Sequence, residues 1–195
     1  MEQFSVGVLN HRDFDTLKEE VFPLFEKVDW NQSAIKSTRN PFDTSVRSSK
    51  SSFVDLKHYE DLVDTVGIGL ELVSKTYGSD FILEYPTIQL LKYDQNDFYI
   101  WHADDIGIRE GQRRIFSISI NLNTDYKGGG VEVRDFKTKN VVRAPDVIGG
   151  YAVFTSLHEH RAVAIESGQR RAITFWFNGR ASEFDKMTRM LEKVV

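Results

Sequence analysis

From residue 81 onward apolar side chains recur at every second position, in short runs separated by glycine-bearing turns. This period of two constrains the fold more than any other feature of the chain, because it fits a pleated strand and not a helix. The runs read as strands over about 81–93, 98–103, 113–123, 129–136, 139–143, 150–155, 160–165 and 170–178. Eight short strands in succession predict a mainly β fold, a cupin-like double-stranded β-helix or jelly roll. The helical patterns come mostly before the strands, so the helices are expected to pack on one sheet from outside.

Ahead of the strands, residues 3–9 read as a first strand. Asp13 is the expected N-cap of a helix carrying Phe14, Leu17, Val21, Leu24 and Phe25, and Pro23 is expected to break it. Residues 31–52 are polar and serine-rich, which fits either a solvated loop or a lid beside a site. Residues 55–78 read as a long helix, capped by Asp55, ended by Gly78 and buried along Leu62, Val66, Leu70 and Val73. A last helix follows Ser182. The expected organisation is one domain over 1–195: helical support and polar loop (1–78), jelly-roll core (79–180) and C-terminal helix (181–195).

Two strands show their faces clearly. Phe116, Ile118, Ile120 and Leu122 alternate with Ser117, Ser119, Asn121 and Asn123. Ile173, Phe175 and Phe177 alternate with Arg170, Ala172, Thr174 and Trp176. A tryptophan on a purely solvated face is unusual, so both polar faces are expected to line a cavity.

The chain has no cysteine, so any metal must be held by imidazole and oxygen. Three of the five histidines have an acid two positions later: His11 with Asp13, His58 with Glu60, and His102 with Asp104. The first pair sits at a helix start, and the second lies in a helix, where such residues point apart. His102 and Asp104 end a strand and can share a face. With His160 they make two imidazoles and a carboxylate, the facial triad of non-haem Fe(II) oxygenases, which leaves room for a bidentate 2-oxo acid and dioxygen. Arg170, on the polar face ten residues after His160, can bind the far carboxylate of such an acid; Arg171 points to the other face. His158 is the alternative distal ligand.

These residues, in this order, resemble the prolyl-hydroxylase-like branch of the Fe(II)/2-oxoglutarate-dependent dioxygenases over residues 80 to 180. The matching positions are Tyr93 and Tyr99, then His102 and Asp104, the run Asn121-Leu122-Asn123, the turn Gly128-Gly129-Gly130, Gly150 before an apolar strand, His160, and Arg170-Arg171-Ala172-Ile173-Thr174-Phe175-Trp176. The resemblance implies that His102, Asp104 and His160 hold Fe(II), and that Arg170, Tyr93 and Thr174 bind 2-oxoglutarate. Tyr99, Asn121 and Trp176 would complete the co-substrate pocket. It implies O2 as second co-substrate, ascorbate as an accessory reductant, and succinate and CO2 as co-products of aliphatic C–H hydroxylation. The related halogenases lack the carboxylate that Asp104 supplies, so hydroxylation is favoured over halogenation. Collagen-type members have lysine where this chain has Arg170, and the oxygen-sensing members have a tyrosine where it has Asn121. Arg47, in a segment similar to the collagen-type Arg-x-Ser loop, and Trp101 are the candidates for contact with substrate.

The expected substrate is a peptidyl-prolyl residue, with a free amino acid or other small metabolite as the alternative. An AlkB-like nucleic-acid demethylase fits less well. Ala172 stands where that family has asparagine, and the net charge of −4 argues against a nucleic-acid partner. A non-catalytic jelly-roll binding module would have no reason to carry the triad. No apolar run approaches a membrane span and the N-terminus has no signal pattern, so a cytoplasmic protein is expected.

Overall fold

A computed structural model describes residues 3–35, 40–54 and 60–194. In chain order the elements are β1 (Phe4–Val8), α1 (His11–Val21), α2 (Leu24–Lys27), β2 (Asn31–Gln32), β3 (Lys50–Phe53), α3 (Val63–Tyr77), β4 (Thr87–Tyr93), β5 (Tyr99–His102), β6 (Gln112–Asn121), β7 (Tyr126–Gly128), β8 (Val131–Arg134), β9 (Val141–Arg143), β10 (Gly150–Thr155), β11 (His160–Ala162), β12 (Ile165–Gly168), β13 (Arg170–Arg180) and α4 (Ala181–Val194). They form a seven-stranded sheet in the order β1-β10-β6-β13-β4-β3-β2, a four-stranded sheet β5-β11-β8-β9 and the pair β12-β7. This is the expected jelly roll with flanking helices.

The alternation read from the sequence decides which face of the large sheet meets what. Phe116, Ile118 and Ile120 of β6 and Ile173, Phe175 and Phe177 of β13 are fully buried under the helices. They pack with Leu17 and Val21 of α1, Val66 and Val73 of α3, and Phe184, Met187 and Leu191 of α4. The opposite face carries Ser117, Ser119, Ala172, Thr174 and Trp176, all buried between the sheets.

Several local expectations are corrected. The N-cap of α1 is Asn10, not Asp13: the Asn10 side chain accepts from the Asp13 backbone N–H, and Asp13 lies in the first turn. Pro23 does break the helix, with α1 ending at Val21 and α2 starting at Leu24. Of the helix expected over 55–78, the described part is a 3-10 turn at Glu60–Leu62 followed by α3. Its proposed cap Asp55, and His58, lie outside the described residues. Gly78 ends the helix with φ +87°. Leu70 is 43% exposed, because the buried stripe of α3 is centred on Val66, Gly69 and Val73 and passes Leu70 at its edge. Strand β4 starts at Thr87 rather than near 81, since Pro86 has no N–H to give to a ladder. The strand expected over 129–136 starts at Val131, after Gly128, Gly129 and Gly130 turn the chain with φ between +68° and +89°. The 31–52 stretch is no simple solvated loop. It holds β2 and the start of β3, buries Ser33, Arg47 and Ser49, and bridges Arg47 to Tyr99 of β5.

Candidate metal centre

His102 ends β5 and His160 begins β11. The antiparallel pairing of these strands sets the two residues directly opposite each other, with ring centroids 4.1 Å apart. Each Nδ1 sits on a backbone carbonyl, His102 on Ile100 at 2.8 Å and His160 on His158 at 3.0 Å. A carbonyl can only accept, so each Nδ1 donates and each Nε2 is left with its lone pair. Asp104 stands in the loop two residues past His102. Its Oδ1 is 3.7 Å from His102 Nε2 and its Oδ2 3.5 Å from His160 Nε2. The three ligand atoms lie within 4.8 Å of one another, the one such cluster among the described residues.

The carboxylate is held from behind. Ser117 Oγ and Trp176 Nε1 both donate to Asp104 Oδ2, at 2.7 and 2.8 Å. The tryptophan that argued for a cavity therefore orients the carboxylate of the cluster. Arg114 lies with its guanidinium 3.9 Å over the Trp176 ring and 4.0 Å from Asp104 Oδ1.

Burial pushes His102 down to about 3, with His160 adding to the effect and Asp104 opposing it. Burial would push the Asp104 carboxyl up, but His160 and His102, Arg114 and the Ser117 bond outweigh it and hold it down at about 2. Near neutral pH the cluster is thus a neutral imidazole beside a carboxylate, the protonation state that a metal requires. Two nitrogens and one oxygen, with no thiolate, suit Fe(II).

These shifts carry a consequence for stability. His158, buried against Phe4 and Phe136, is likewise held neutral at about 3, by burial first and His160 second. With both folded-state values below the ordinary 6.5, the unfolded chain binds more protons between pH 6.5 and 3. Stability is present above 6.5 and is lost as pH falls, by up to roughly 1.4 kcal/mol per pH unit for each histidine. Urea unfolding of the chelator-treated protein is expected to show its midpoint falling from pH 7 to pH 5. A flat profile over that range would contradict it.

The cluster sits in a cavity of about 220 Å³ between the sheets. Arg170 begins β13 opposite Tyr93 of β4 and is 3% exposed, with its guanidinium 5.6 Å over the Tyr93 ring. Its Nε is buried and has no hydrogen-bond partner among the described residues. An unanswered buried guanidinium N–H is costly and fits a site made for an anion. Beside it a Cβ at Gly129 would lie 2.4 Å from Ile165 Cδ1 and 3.5 Å from Arg170 Cδ, so the glycine turn leaves the arginine its space. Thr174 and Trp176 follow on the same face, while Arg171 lies on the outer face over Phe25.

Other sequence-predicted residues fall as follows. Tyr99 lines the cavity and stacks on His102 at 3.5 Å between centroids. Arg47 lines it too, with its guanidinium 4.7 Å over Tyr99. His158 is turned away, its Nδ1 bonded to Thr155 Oγ1, so His160 is the histidine of the cluster. Asn121 does not line the cavity: its amide donates to the Asn123 and Val147 carbonyls and its oxygen accepts from Tyr126. Trp101 does not line it either, and lies between the Arg134 and Arg161 guanidiniums at 4.1 and 4.9 Å.

Sequence reasoning assigns no role to Arg114 or Ser117. Ser117 lies on the polar face of β6, and that position is the signal by which it could be found. Arg114 carries no such signal, because strict alternation puts it on the core face with Phe116. A bulge in β6 reverses that: Phe177 pairs with Phe116, but Asn178 pairs with Arg114, so Ile115 is the extra residue and joins the core.

The sequence profile of the 2OG-Fe(II) oxygenase superfamily matches residues 88–178, which contain the triad, Tyr93 and Arg170. No curated protein matches the sequence. Among solved structures, a Pseudomonas putida prolyl-4-hydroxylase superposes with a TM-score of 0.70 at 18% identity, covering 93% of this chain and 95% of that one. A Trichoplax adhaerens prolyl hydroxylase in complex with a hypoxia inducible factor oxygen degradation domain peptide fragment gives 0.69 at 19% identity, covering 94% and 86%. SnoK, a non-heme alpha ketoglutarate dependent carbocyclase from nogalamycin biosynthesis, gives 0.63 at 10% identity, covering 91% and 79%. Among the described residues no helix is long and apolar enough to cross a membrane.

Proposed function

We propose, from the premise that this chain belongs to the 2OG-Fe(II) oxygenase superfamily, that it hydroxylates an aliphatic C–H of a peptide, with a prolyl residue as the first candidate. Membership makes it a 2-oxoglutarate-dependent dioxygenase that uses Fe(II), 2-oxoglutarate and O2. The observation that carries the reading is the pairing, in one cavity wall, of the two-imidazole, one-carboxylate cluster with a buried guanidinium whose Nε lacks a partner among the described residues.

Fe(II) supplies the coupling of O2 reduction and 2-oxoglutarate decarboxylation to oxygen insertion into the substrate. The chain's own part is to bind and orient. His102 and His160 offer Nε2 because backbone carbonyls hold their Nδ1 protons. Ser117 and Trp176 fix the Asp104 carboxylate. Arg170 receives the far carboxylate of the oxo acid, with Tyr93 and Thr174 beside it. Tyr99 and Arg47 form the wall on the substrate side.

A peptide is favoured because the likeness to prolyl hydroxylases, one of them solved with a peptide fragment, covers nearly the whole chain. The fold by itself also serves small-molecule chemistry, as SnoK illustrates. Succinate release should therefore be screened over proline peptides, free amino acids and short oligonucleotides with Fe(II) and 2-oxoglutarate supplied. Stimulation by proline peptides is the expected result. Stimulation by free amino acids alone would reject the peptide assignment.

A further inference from the structure

The cavity has an unusual charge balance. Among the described residues its wall includes five arginines, at positions 47, 109, 114, 161 and 170, and a single acid, Asp104. The chain as a whole is acidic, with net charge −4, so this concentration of guanidinium is local. Arg170 is reserved for the oxo acid in the reading above. Arg161 is answered by Glu132, whose Oε2 accepts from its Nε at 2.7 Å. Arg109 is exposed at the mouth.

Arg47 and Arg114 are different. Arg47 is 6% exposed, and its donors go to neutral acceptors: Ser49 Oγ, the Ala34 carbonyl and Gln89 Oε1. Among the described residues Arg114 makes one weak side-chain hydrogen bond, 3.4 Å to the Asp104 carbonyl, and it lies over Trp176. Its nearest acid, Asp104, already accepts hydrogen bonds from Ser117 and Trp176. A ferrous ion beside Asp104 and an oxo acid dianion beside Arg170 offset one another, which leaves Arg47 and Arg114 without a compensating acid of their own among the described residues. The two address the same part of the cavity. Both line the cavity, Arg47 with its guanidinium 4.7 Å over the Tyr99 ring and Arg114 with its guanidinium 3.9 Å over the Trp176 ring. Two largely desolvated cations around one space are costly unless an anion enters between them.

We propose that the substrate carries a carboxylate next to the carbon that is hydroxylated, and that Arg47 and Arg114 receive it. The inference rests on the reading of the site as a dioxygenase. It narrows the substrate class to acidic molecules: a peptide with an Asp or Glu flanking its target, or a free amino acid offering the same group.

The test uses capped five-residue peptides with a central proline flanked by aspartates, by asparagines or by lysines, together with free proline and free glutamate. Each is titrated calorimetrically, under argon, into protein holding Fe(II) and 2-oxoglutarate, and into metal-free protein. The aspartate peptide is expected to bind about 10-fold more tightly than its asparagine twin, the size of one charge-assisted contact, with the lysine peptide weakest and the difference shrinking as salt is raised. Arg114→Gln should bring the aspartate and asparagine peptides together, while Arg114→Lys keeps part of the difference. Tight binding of the free amino acids alone would keep the carboxylate and assign it to a small molecule. Equal binding of the aspartate and asparagine peptides, preference for lysine, or no binding of any acidic probe would overturn the proposal. The wild-type comparison needs no variant to fold. Failure of the iron chelate band to form, with the aspartate preference intact, would count against the dioxygenase reading alone.

Discussion

Asp104→Ala is expected to abolish turnover and lower Fe(II) affinity by more than about 100-fold, while the protein stays folded. Loss of groups that merely orient a ligand typically costs 10- to 100-fold in metal affinity, so removing the ligand itself should exceed that range. Among the described residues Asp104 is the only carboxylate in the cavity wall, and no neighbouring acid can replace it. Its loss would also strip Arg114 of its nearest acid and leave the Trp176 and Ser117 donors without their acceptor. Asp104→Asn keeps an oxygen for those donors but removes the charge, and should fail nearly as badly at holding the metal. Anaerobic addition of Fe(II) and 2-oxoglutarate should give the visible chelate band in the wild type and none in either variant, with unchanged circular dichroism. His102→Ala should behave the same way. A variant that keeps the band at stoichiometric iron would remove Asp104 from the metal centre.

Arg170→Gln is expected to raise the KM for 2-oxoglutarate by about 100-fold or more, with iron still bound. Two parallel bonds from a guanidinium to a carboxylate contribute roughly 1.5–3 kcal/mol each, and glutamine offers neither the charge nor the fork. Arg170→Lys restores charge without the planar fork and should fall between the two. A second readout is thermal: 2-oxoglutarate with metal should raise the melting temperature of the wild type, and this gain should vanish in Arg170→Gln. Arg171→Gln is the control, because that side chain lies on the outer face against Phe25. Equal KM changes at both positions would mean that the phase of β13 is not what selects the binding arginine.

Much of this arrangement is legible in the amino-acid sequence. The alternation of Phe116, Ile118 and Ile120 with Ser117 and Ser119 separates the helix-covered face from the cavity face. The same rule on β13 separates Arg170, Thr174 and Trp176 from Ile173 and Phe175. Both readings rest on a side-chain period of two, which holds wherever a strand pairs regularly. The choice of His160 over His158 is what the family resemblance implies, through its place ten residues before Arg170. The structure agrees, since His160 faces His102 across a strand pair and His158 is bonded to Thr155. Local chemistry is less legible at the ends of elements. Asn10 and Asp13 are both good caps, and only the geometry of the first turn separates them. Asn121 lies on the correct face, yet its amide is consumed by the Asn123 and Val147 carbonyls of the adjoining turns.

The sequence by itself determined the jelly-roll class, the two faces of the large sheet, and the pairing of His102 and Asp104 with Arg170 on the cavity face of β13. Periodicity is a local property, and a chain carries it in plain view. Only the tertiary structure decided which side chains turn against that periodicity. Three residues of β5 pass while β11 advances two, so Tyr99 and His102, an odd number apart, both face the cavity and stack on each other. The extra residue Ile115 in β6 does the same for Arg114 and brings its guanidinium beside Asp104. A bulge reverses the alternation by one residue, and its position is set by how two distant strands pair. That pairing is a relation between segments far apart in the chain, so no single strand's pattern contains it.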